Sequence, residues 1–273
     1  MIDIPKNNEF ADLVYKNTPQ RDLMLTFFPP YEKKFEKSPV YFIISGGGWH
    51  TETRQSMIDF SIESEEILRK EGYAVVSIDY RVCKEGVVMH EIITDCFDAA
   101  RYISHYADVL EIDRDSFVMS GHSAGAHLAL MLSYASSDNF KDGYEFDDRF
   151  KVKSVAAMSP PTALYDRSTY HLLDIAEVFN DYNDENETKS GSPICYISEN
   201  CPPTLLCAGT SDYLVFANSS EMVYNKLTEC GVKSKLVFSV GGGHCFEKIH
   251  DEIEPSVSMS EMQKIIAEFI LGC

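Results

Sequence analysis

Short runs of β-branched and aromatic residues, each followed by a longer stretch with helical spacing, recur along the whole chain. Continuous apolar runs are typical of strands buried on both faces of a parallel sheet, because helices cover both sides of such a sheet. The alternation therefore predicts an α/β fold built from successive βα units, with a mostly parallel central sheet and helices on both faces. The predicted strands are residues 23–28, 40–45, 73–79, 117–120, 152–158, 205–208 and 236–240.

Two segments predict helices that pack on this sheet. Apolar residues recur at helical spacing from Met262 to Ile270, and Gly272 is placed to end that helix. Residues 124–132 are apolar nearly all round apart from His127, which indicates a helix buried against the sheet. His127 is expected to be a hydrogen-bonded packing residue.

The chain of 273 residues shows no internal repeat and no linker that would divide it. We therefore expect a single domain over residues 1–273, with about twenty residues before the first strand and no large N-terminal cap. Residues 161–201 break the alternation and predict an insertion that forms a partial cap, aromatic at first and then acidic and solvated. Several side chains of this insertion could line one wall of a site: Leu164, Tyr165, Tyr170, Leu172, Leu173 and Phe179.

The charge balance excludes some classes of partner. With 24 basic and 43 acidic residues the net charge is −19, which would repel nucleic acid and anionic membranes. The start of the chain lacks a signal-peptide pattern, and no stretch approaches the ~18 apolar residues of a membrane span. The eight cysteines include no CxxC pair and no close Cys/His quartet, so the spacing signals no metal site. A cytoplasmic protein with reduced thiols is the expectation.

The strongest local motif is GHSAG at residues 121–125, a GxSxG between the predicted strand FVMS and an apolar helix. This strand-turn-helix context is the one in which the motif lifts a serine above the sheet on a sharp turn. The following helix directs its positive N-terminal end towards developing negative charge. Ser123 is therefore the candidate nucleophile, and a plain helix N-cap is the less favoured reading.

A serine nucleophile needs a base oriented by a carboxylate, and both follow in the chain. Asp212 lies in the loop that follows the strand LLCA, and His244 lies in a glycine-rich loop after LVFSV. Because the carboxyl ends of parallel strands share one edge, we expect Ser123, Asp212 and His244 to meet there as a catalytic triad. His50 and His171 stay as weaker candidates for the base.

Acyl transfer also needs hydrogen-bond donors for the oxyanion, and SGGGW at residues 45–49 follows another strand at the same edge. Its glycines would let backbone amides approach the substrate. We assign the oxyanion hole to the amides of Gly47, Gly48 and Ala124. Trp49, the only tryptophan, is expected to pack the glycine loop or else to contact the substrate.

These motifs resemble the α/β-hydrolase superfamily, in particular the esterase/lipase branch of hormone-sensitive-lipase-like carboxylesterases and small carbohydrate acetyl esterases. The resemblance covers most of the chain and includes GHSAG, Asp79-Tyr80-Arg81, Ser159-Pro160 and Pro202-Pro203. One departure is Ser45, which stands where the family usually has a histidine before the glycines. The hydrogen bonds that hold the oxyanion loop must therefore differ from those of the family.

The resemblance implies a carboxylic-ester hydrolase that works through an acyl-enzyme and needs no cofactor. We expect short acyl groups of the acetyl type on a small alcohol that could be a carbohydrate, with Tyr165 and Tyr170 as substrate contacts beside Trp49. Two alternatives stay open: an amide hydrolase with the same triad, of the arylformamidase or peptidase kind, and a binding scaffold without turnover. The natural acyl group, the alcohol and the oligomeric state are left open.

Overall fold

The protein is described by a computed structural model that covers residues 9–51, 53–146, 149–171 and 174–273. Within these residues one sheet of eight strands runs through the chain. The strands are β1 (Ala11–Asn17), β2 (Asp22–Phe28), β3 (Ser38–Ile44), β4 (Ala74–Ile78), β5 (Ile112–His122), β6 (Val152–Met158), β7 (Thr204–Gly209) and β8 (Ser234–Ser239).

The sheet is mostly parallel, as the apolar runs predict. Its strand order is β1-β2-β4-β3-β5-β6-β7-β8. The first two strands pair antiparallel with each other, and β2 is antiparallel to β4, whereas all pairs from β4 to β8 are parallel. The carboxyl ends of β3, β5, β6, β7 and β8 therefore lie along one edge.

Helices cover both faces of the sheet. They are α1 (Arg54–Phe60), α2 (Ile62–Lys70), α3 (Met89–His105), α4 (Ala124–Tyr134), α5 (Glu185–Ser190), α6 (Ala217–Glu229) and α7 (Met259–Leu271). Alternate residues of β3 show the division, since Phe42 belongs to the apolar cluster under α3 and α4 while Tyr41 belongs to the cluster under α1, α2 and α7. The predicted α/β class and both predicted helices are confirmed.

Strand β1 was not predicted from the sequence, which places the first strand at residues 23–28. Strand β1 is a half-exposed edge strand whose register shifts between Val14 and Lys16. Its inward side includes the buried Lys16, whose ammonium lies 2.9 Å from Asp95 and 2.6 Å from Asp98 of α3. A lysine at a buried strand position hides the apolar pattern by which strands are recognised.

Residues 161–201, the predicted insertion, connect β6 to β7 through short helical turns and α5. Leu164, Tyr170 and Phe179 are buried in the main apolar cluster, so they hold the insertion in place. Leu172 and Leu173, which were predicted to line the site, lie outside the described residues. Across the described part of the chain, no helix has both the length and the apolar character that crossing a bilayer requires.

Candidate active site

Ser123 stands at the sharp turn between β5 and α4. Its backbone has φ 56° and ψ −123°, a left-handed conformation that a non-glycine residue adopts only where the surroundings enforce it. The Ser123 amide donates to the carbonyl of Met158 at 2.8 Å, and its carbonyl accepts from the amide of His127 at 3.0 Å. The turn is therefore fastened on both sides, and the strand-turn-helix geometry predicted from GHSAG is present.

Close backbone packing explains the two glycines of the motif. A Cβ on Gly121 would lie 2.4 Å from the carbonyl of Gly125, and a Cβ on Gly125 would lie 2.0 Å from the carbonyl oxygen of Ile44. Both distances are impossible for real atoms. Any side chain at either position would push α4 away from the sheet and displace Ser123.

Asp212 and His244 are hydrogen-bonded to each other at the same edge. His244 Nδ1 lies 2.7 Å from Asp212 Oδ2, and both residues are buried. The other carboxylate oxygen accepts from the backbone amides of Leu214 at 2.8 Å and Val215 at 3.0 Å. Because a carboxylate only accepts, Nδ1 must carry the proton, and Nε2 keeps its lone pair for a hydroxyl.

The main chain of His244 is held by two side chains that the sequence did not mark for this role. Its carbonyl oxygen accepts from His122 Nε2 at 2.9 Å and from the hydroxyl of Ser159 at 3.0 Å. Burial and the neighbouring His244 lower the pKa of His122 to about 4, so His122 is neutral near pH 7. His122 and Ser159 therefore position the loop of His244, and their places beside the elbow and at the end of β6 were the available signals.

The glycine loop lies against the elbow. A Cβ on Gly46 would come within 3.3 Å of the Cβ of Ser123, which places the loop beside the candidate nucleophile. Gly47 has φ +117° and Gly48 has φ +61°, conformations that glycine adopts without strain. In the described chain the amides of Gly47, Gly48 and Ala124 have no protein acceptor, so they are free to bind an oxyanion.

Tyr80 supports the first residue of the glycine loop. The Ser45 hydroxyl is buried and has no partner among the described residues. The Tyr80 hydroxyl instead donates to the carbonyl of Ser45 at 2.8 Å, and Tyr80 is fully buried. Sequence reasoning noted the Asp79-Tyr80-Arg81 motif but not this contact.

Two cavities flank the glycine loop, and Gly47 lines both. The first, of about 300 Å³, is bounded by Met57, Phe60, His122 and Cys245. The second, of about 430 Å³, lies between the loop and the insertion. Its walls include Trp49, His50, His171, Asp174, Tyr213 and Leu214.

Trp49 and Tyr170, two of the predicted substrate contacts, are both buried, and only Trp49 lines a cavity beside the glycine loop. Trp49 lines the second cavity but is only 1% exposed, and its ring packs edge-on against His127 at a centroid distance of 5.0 Å. Tyr170 is buried, with its hydroxyl bonded to Leu164 O and to the Tyr182 hydroxyl, both at 2.6 Å. The structure therefore corrects Tyr170 from a substrate contact to a packing residue of the insertion.

Tyr165 is half-exposed, and its ring faces the ammonium of Lys189 rather than either of the two cavities. The solvent-exposed aromatic side chain on the wall of the second cavity is instead Tyr213, the residue after Asp212, which is 61% exposed. Its place next to the predicted acid was the signal that could have found it. His50 and His171 lie on the wall of this cavity, and His244 alone of the three is bonded to Asp212.

A family model described as BD-FAE matches residues 25–227. Among curated proteins, the chain is 27% identical to the non-reducing polyketide synthase atr1 of Stereocaulon alpinum over 142 residues, which are 50% of this chain and 6% of that protein. It is 22% identical to the probable isoprenylcysteine alpha-carbonyl methylesterase ICME of Oryza sativa subsp. japonica over 85% of this chain and 57% of that protein. The chain thus spans less than two thirds of either relative.

Solved esterase structures share the fold. Est2 of Thermogutta terrifontis with bound propionate superposes with a TM-score of 0.79 and 21% identity, covering 96% of this chain and 93% of that one. A truncated carbohydrate esterase from gut microbiota gives 0.76 and 22%, covering 98% and 100%. Esterase 2 of Thermogutta terrifontis phosphonylated by sarin gives 0.81 and 21%, covering 98% and 96%. The resemblance to α/β hydrolases of the esterase branch is confirmed.

Proposed function

The chain belongs to the BD-FAE family, and from this premise we propose that it is a serine carboxylesterase that hydrolyses short-chain esters through an acyl-enzyme. The observation that carries the proposal is the hydrogen bond of 2.7 Å between His244 Nδ1 and Asp212 Oδ2, at the sheet edge where Ser123 stands on its strained turn. The esterases among the structural neighbours support the same reaction class.

In the proposed mechanism His244 Nε2 takes the proton of the Ser123 hydroxyl as its oxygen attacks the ester carbonyl. Asp212 stabilises the imidazolium, and the amides of Gly47, Gly48 and Ala124 donate to the oxyanion. The alcohol leaves with the proton from His244, and the acyl group stays on Ser123. Water activated by His244 then attacks the acyl-enzyme and releases the acid.

We assign the cavity of about 300 Å³ to the acyl group and the larger one to the alcohol. Met57 and Phe60 give the smaller cavity an apolar wall, and a pocket gains only ~0.8 kcal/mol for each methylene that it buries. A small cavity therefore favours acetyl and similarly short groups. His171, Asp174 and the exposed Tyr213 give the larger cavity polar and aromatic walls, which suit a carbohydrate alcohol.

A fluorophosphonate probe tests the reaction class. The wild type should be labelled covalently, and Ser123→Ala should not react, because the probe needs the activated serine. A binding scaffold without turnover would leave the wild type unlabelled. The neighbour phosphonylated by sarin supports the choice of this probe. Formyl and peptide amides assayed beside esters measure the amide-hydrolase alternative, which a faster amide reaction would favour.

The acyl preference is tested with 4-nitrophenyl esters from acetate to laurate, compared by kcat/KM at matched solubility. We expect the highest value at four carbons or fewer, and an optimum at eight or more would contradict the small acyl cavity. A matched pair of variants separates the two cavities. Phe60→Ala should move the optimum towards longer acyl groups, whereas Tyr213→Ala should lower kcat/KM for an acetylated sugar and spare 4-nitrophenyl acetate.

A further inference from the structure

Three side chains of different ligand types meet around His50, which lies on the wall of the second cavity. They are His50, just after the glycine loop, Cys83, after β4, and Glu177, in the insertion. One ligand atom of each lies within 4.8 Å of the other two. His50 and Cys83 are 33 positions apart along the chain, and Cys83 and Glu177 are 94 positions apart. No short sequence spacing could therefore have indicated the cluster.

The hydrogen bonds of His50 leave a place for positive charge. His50 Nδ1 lies 2.7 Å from the carbonyl oxygen of Gly48, which can only accept, so Nδ1 carries a proton. His50 Nε2 lies 3.1 Å from the carboxylate of Glu177, which also accepts. Each ring nitrogen therefore faces an acceptor. A cation bound between Nε2 and the Glu177 carboxylate would bind the lone pair of Nε2 and balance the charge of the carboxylate.

This arrangement is the usual environment of a metal-binding histidine. In such sites the ring nitrogen that does not bind the metal donates to a carbonyl or carboxylate, which fixes the ring and raises the basicity of the other nitrogen. The Gly48 carbonyl has this role here. Thiolate, imidazole and carboxylate together are a donor set of Zn²⁺, whereas Ca²⁺ and Mg²⁺ prefer oxygen ligands alone.

We propose that His50 Nε2, Cys83 Sγ and a carboxylate oxygen of Glu177 form a zinc site that ties the insertion to the segment after the glycine loop. On binding, the Cys83 thiol loses its proton to solvent and its sulfur bonds to the metal. Three protein ligands leave a fourth tetrahedral position for water. The site uses none of Ser123, Asp212 and His244, so it holds His50 and the insertion in place and takes no part in the ester reaction.

The test uses the full chain, freed of metal by a chelator and titrated with Zn²⁺ by calorimetry and with Co²⁺ by absorption. The wild type should bind one Zn²⁺, and Co²⁺ should give a thiolate-to-metal charge-transfer band. Cys83→Ser should weaken zinc binding by at least about 100-fold, beyond what the loss of an outer-shell partner causes, and should abolish the band. Zinc should also raise the melting temperature of the wild type.

Glu177→Gln provides a second variant that should fold normally, because Glu177 is exposed, and it should weaken binding about tenfold or more. Cys195→Ser is the matched control, since it removes an exposed thiol of the same insertion and should bind zinc like the wild type. Wild-type binding no tighter than that of Cys83→Ser, or a cobalt band that survives in Cys83→Ser, would overturn the proposal.

Discussion

The carboxyl edge of the sheet and the insertion at residues 161–201 are built from different kinds of contact. At the edge, backbones touch so closely that no Cβ fits at Gly121 or Gly125, and Ser123 and Ser159 both have positive φ. The insertion consists of short turns capped by side chains such as Asp166 and Asp184 and joined by the hydroxyls of Tyr170 and Tyr182. Backbone packing allows one geometry at the edge, whereas the insertion depends on side chains that can be exchanged. The edge therefore suits the chemistry, and the insertion suits the choice of substrate.

The largest effect should come from Ser123, the proposed nucleophile. Ser123→Ala should fold normally and lose about 10⁶-fold in kcat, because the members of a triad act as one unit. Circular dichroism checks the fold, and a 4-nitrophenyl acetate assay gives the rate. Ser133→Ala on the same helix removes a hydroxyl that only bonds the carbonyl of Ala129, and it should keep its activity. Retention of more than a few per cent by Ser123→Ala, with contamination excluded, would contradict the assignment.

The second effect tests the carboxylate. Asp212→Asn should lower kcat by about 10⁴-fold, because the carboxamide places a donor against Nδ1 and favours the wrong tautomer of His244. The bonds to the amides of Leu214 and Val215 can persist, so the loop should stay in place. Asp174→Asn, which removes a charge from the second cavity, is the control and should keep most activity towards 4-nitrophenyl acetate. Near-normal activity of Asp212→Asn would assign the role to another carboxylate.

The carboxyl edge of the sheet and the insertion also differ in how much of each could be predicted from the sequence. The parallel strands, the elbow and the order of Ser123, Asp212 and His244 follow from short-range rules, because each residue lies in the turn or loop after a strand whose end must lie at one edge. The first strand β1 was missed because its inward side includes Lys16, whose charge is balanced by carboxylates far away in sequence, Asp95 and Asp98 of α3 and Asp142.

In the insertion, composition alone could not tell which aromatic side chain faces a cavity. Tyr170 is as aromatic as Tyr213, yet its hydroxyl bonds turn it inwards while Tyr213 stays exposed. The positions of His122 and Ser159 at strand ends were the available signals, but their contact with the carbonyl of His244 could not be predicted, because it joins residues more than 80 positions apart in sequence. Contacts of this kind depend on the assembled fold.

His127 links the two regions, and its titration measures that link. His127 Nε2 lies 2.6 Å from the carbonyl oxygen of Gly191 in the insertion, and burial lowers its pKa to about 4. In the unfolded chain the pKa of His127 is about 6.5. Between pH 6.5 and pH 4 the His127 ring is therefore protonated in the unfolded chain and neutral in the folded one, so the free energy of unfolding falls as the pH falls. His127→Gln can keep the bond without titrating. From pH 7 to 4.5 the wild type should lose about 2 to 3 kcal/mol more stability than the variant.

Urea unfolding at several pH values gives both curves for this comparison. The titration of His122 and of the carboxylates is common to both proteins and cancels in the difference. Parallel curves for the wild type and His127→Gln would mean that His127 takes up its proton equally in the folded and unfolded chain.

A smaller effect is expected from the support of the His244 loop. Ser159→Ala removes one hydrogen bond to the carbonyl of His244, and a bond worth about 1 kcal/mol corresponds to roughly a fivefold loss. We expect the loss in kcat with KM nearly unchanged, because the substrate cavities are not altered. Ser154→Ala, on the strand β6 that ends just before Ser159, removes a buried hydroxyl without a partner in the described structure and is the control. An equal loss in both variants would point to general destabilisation.

The smallest effect concerns Cys245, the thiol next to His244, the proposed base. Burial, together with Glu247 and Asp212, raises the pKa of Cys245 to about 11, so the thiol stays protonated near neutral pH. Its sulfur lies 3.7 Å from His122 Nε2 and borders the proposed acyl cavity, where it acts by its size. Cys245→Ala should therefore hydrolyse 4-nitrophenyl acetate within about twofold of the wild type, since a protonated thiol is a poor nucleophile. A large loss of kcat with an unchanged melting temperature would show that the sulfur contributes to the chemistry of the edge.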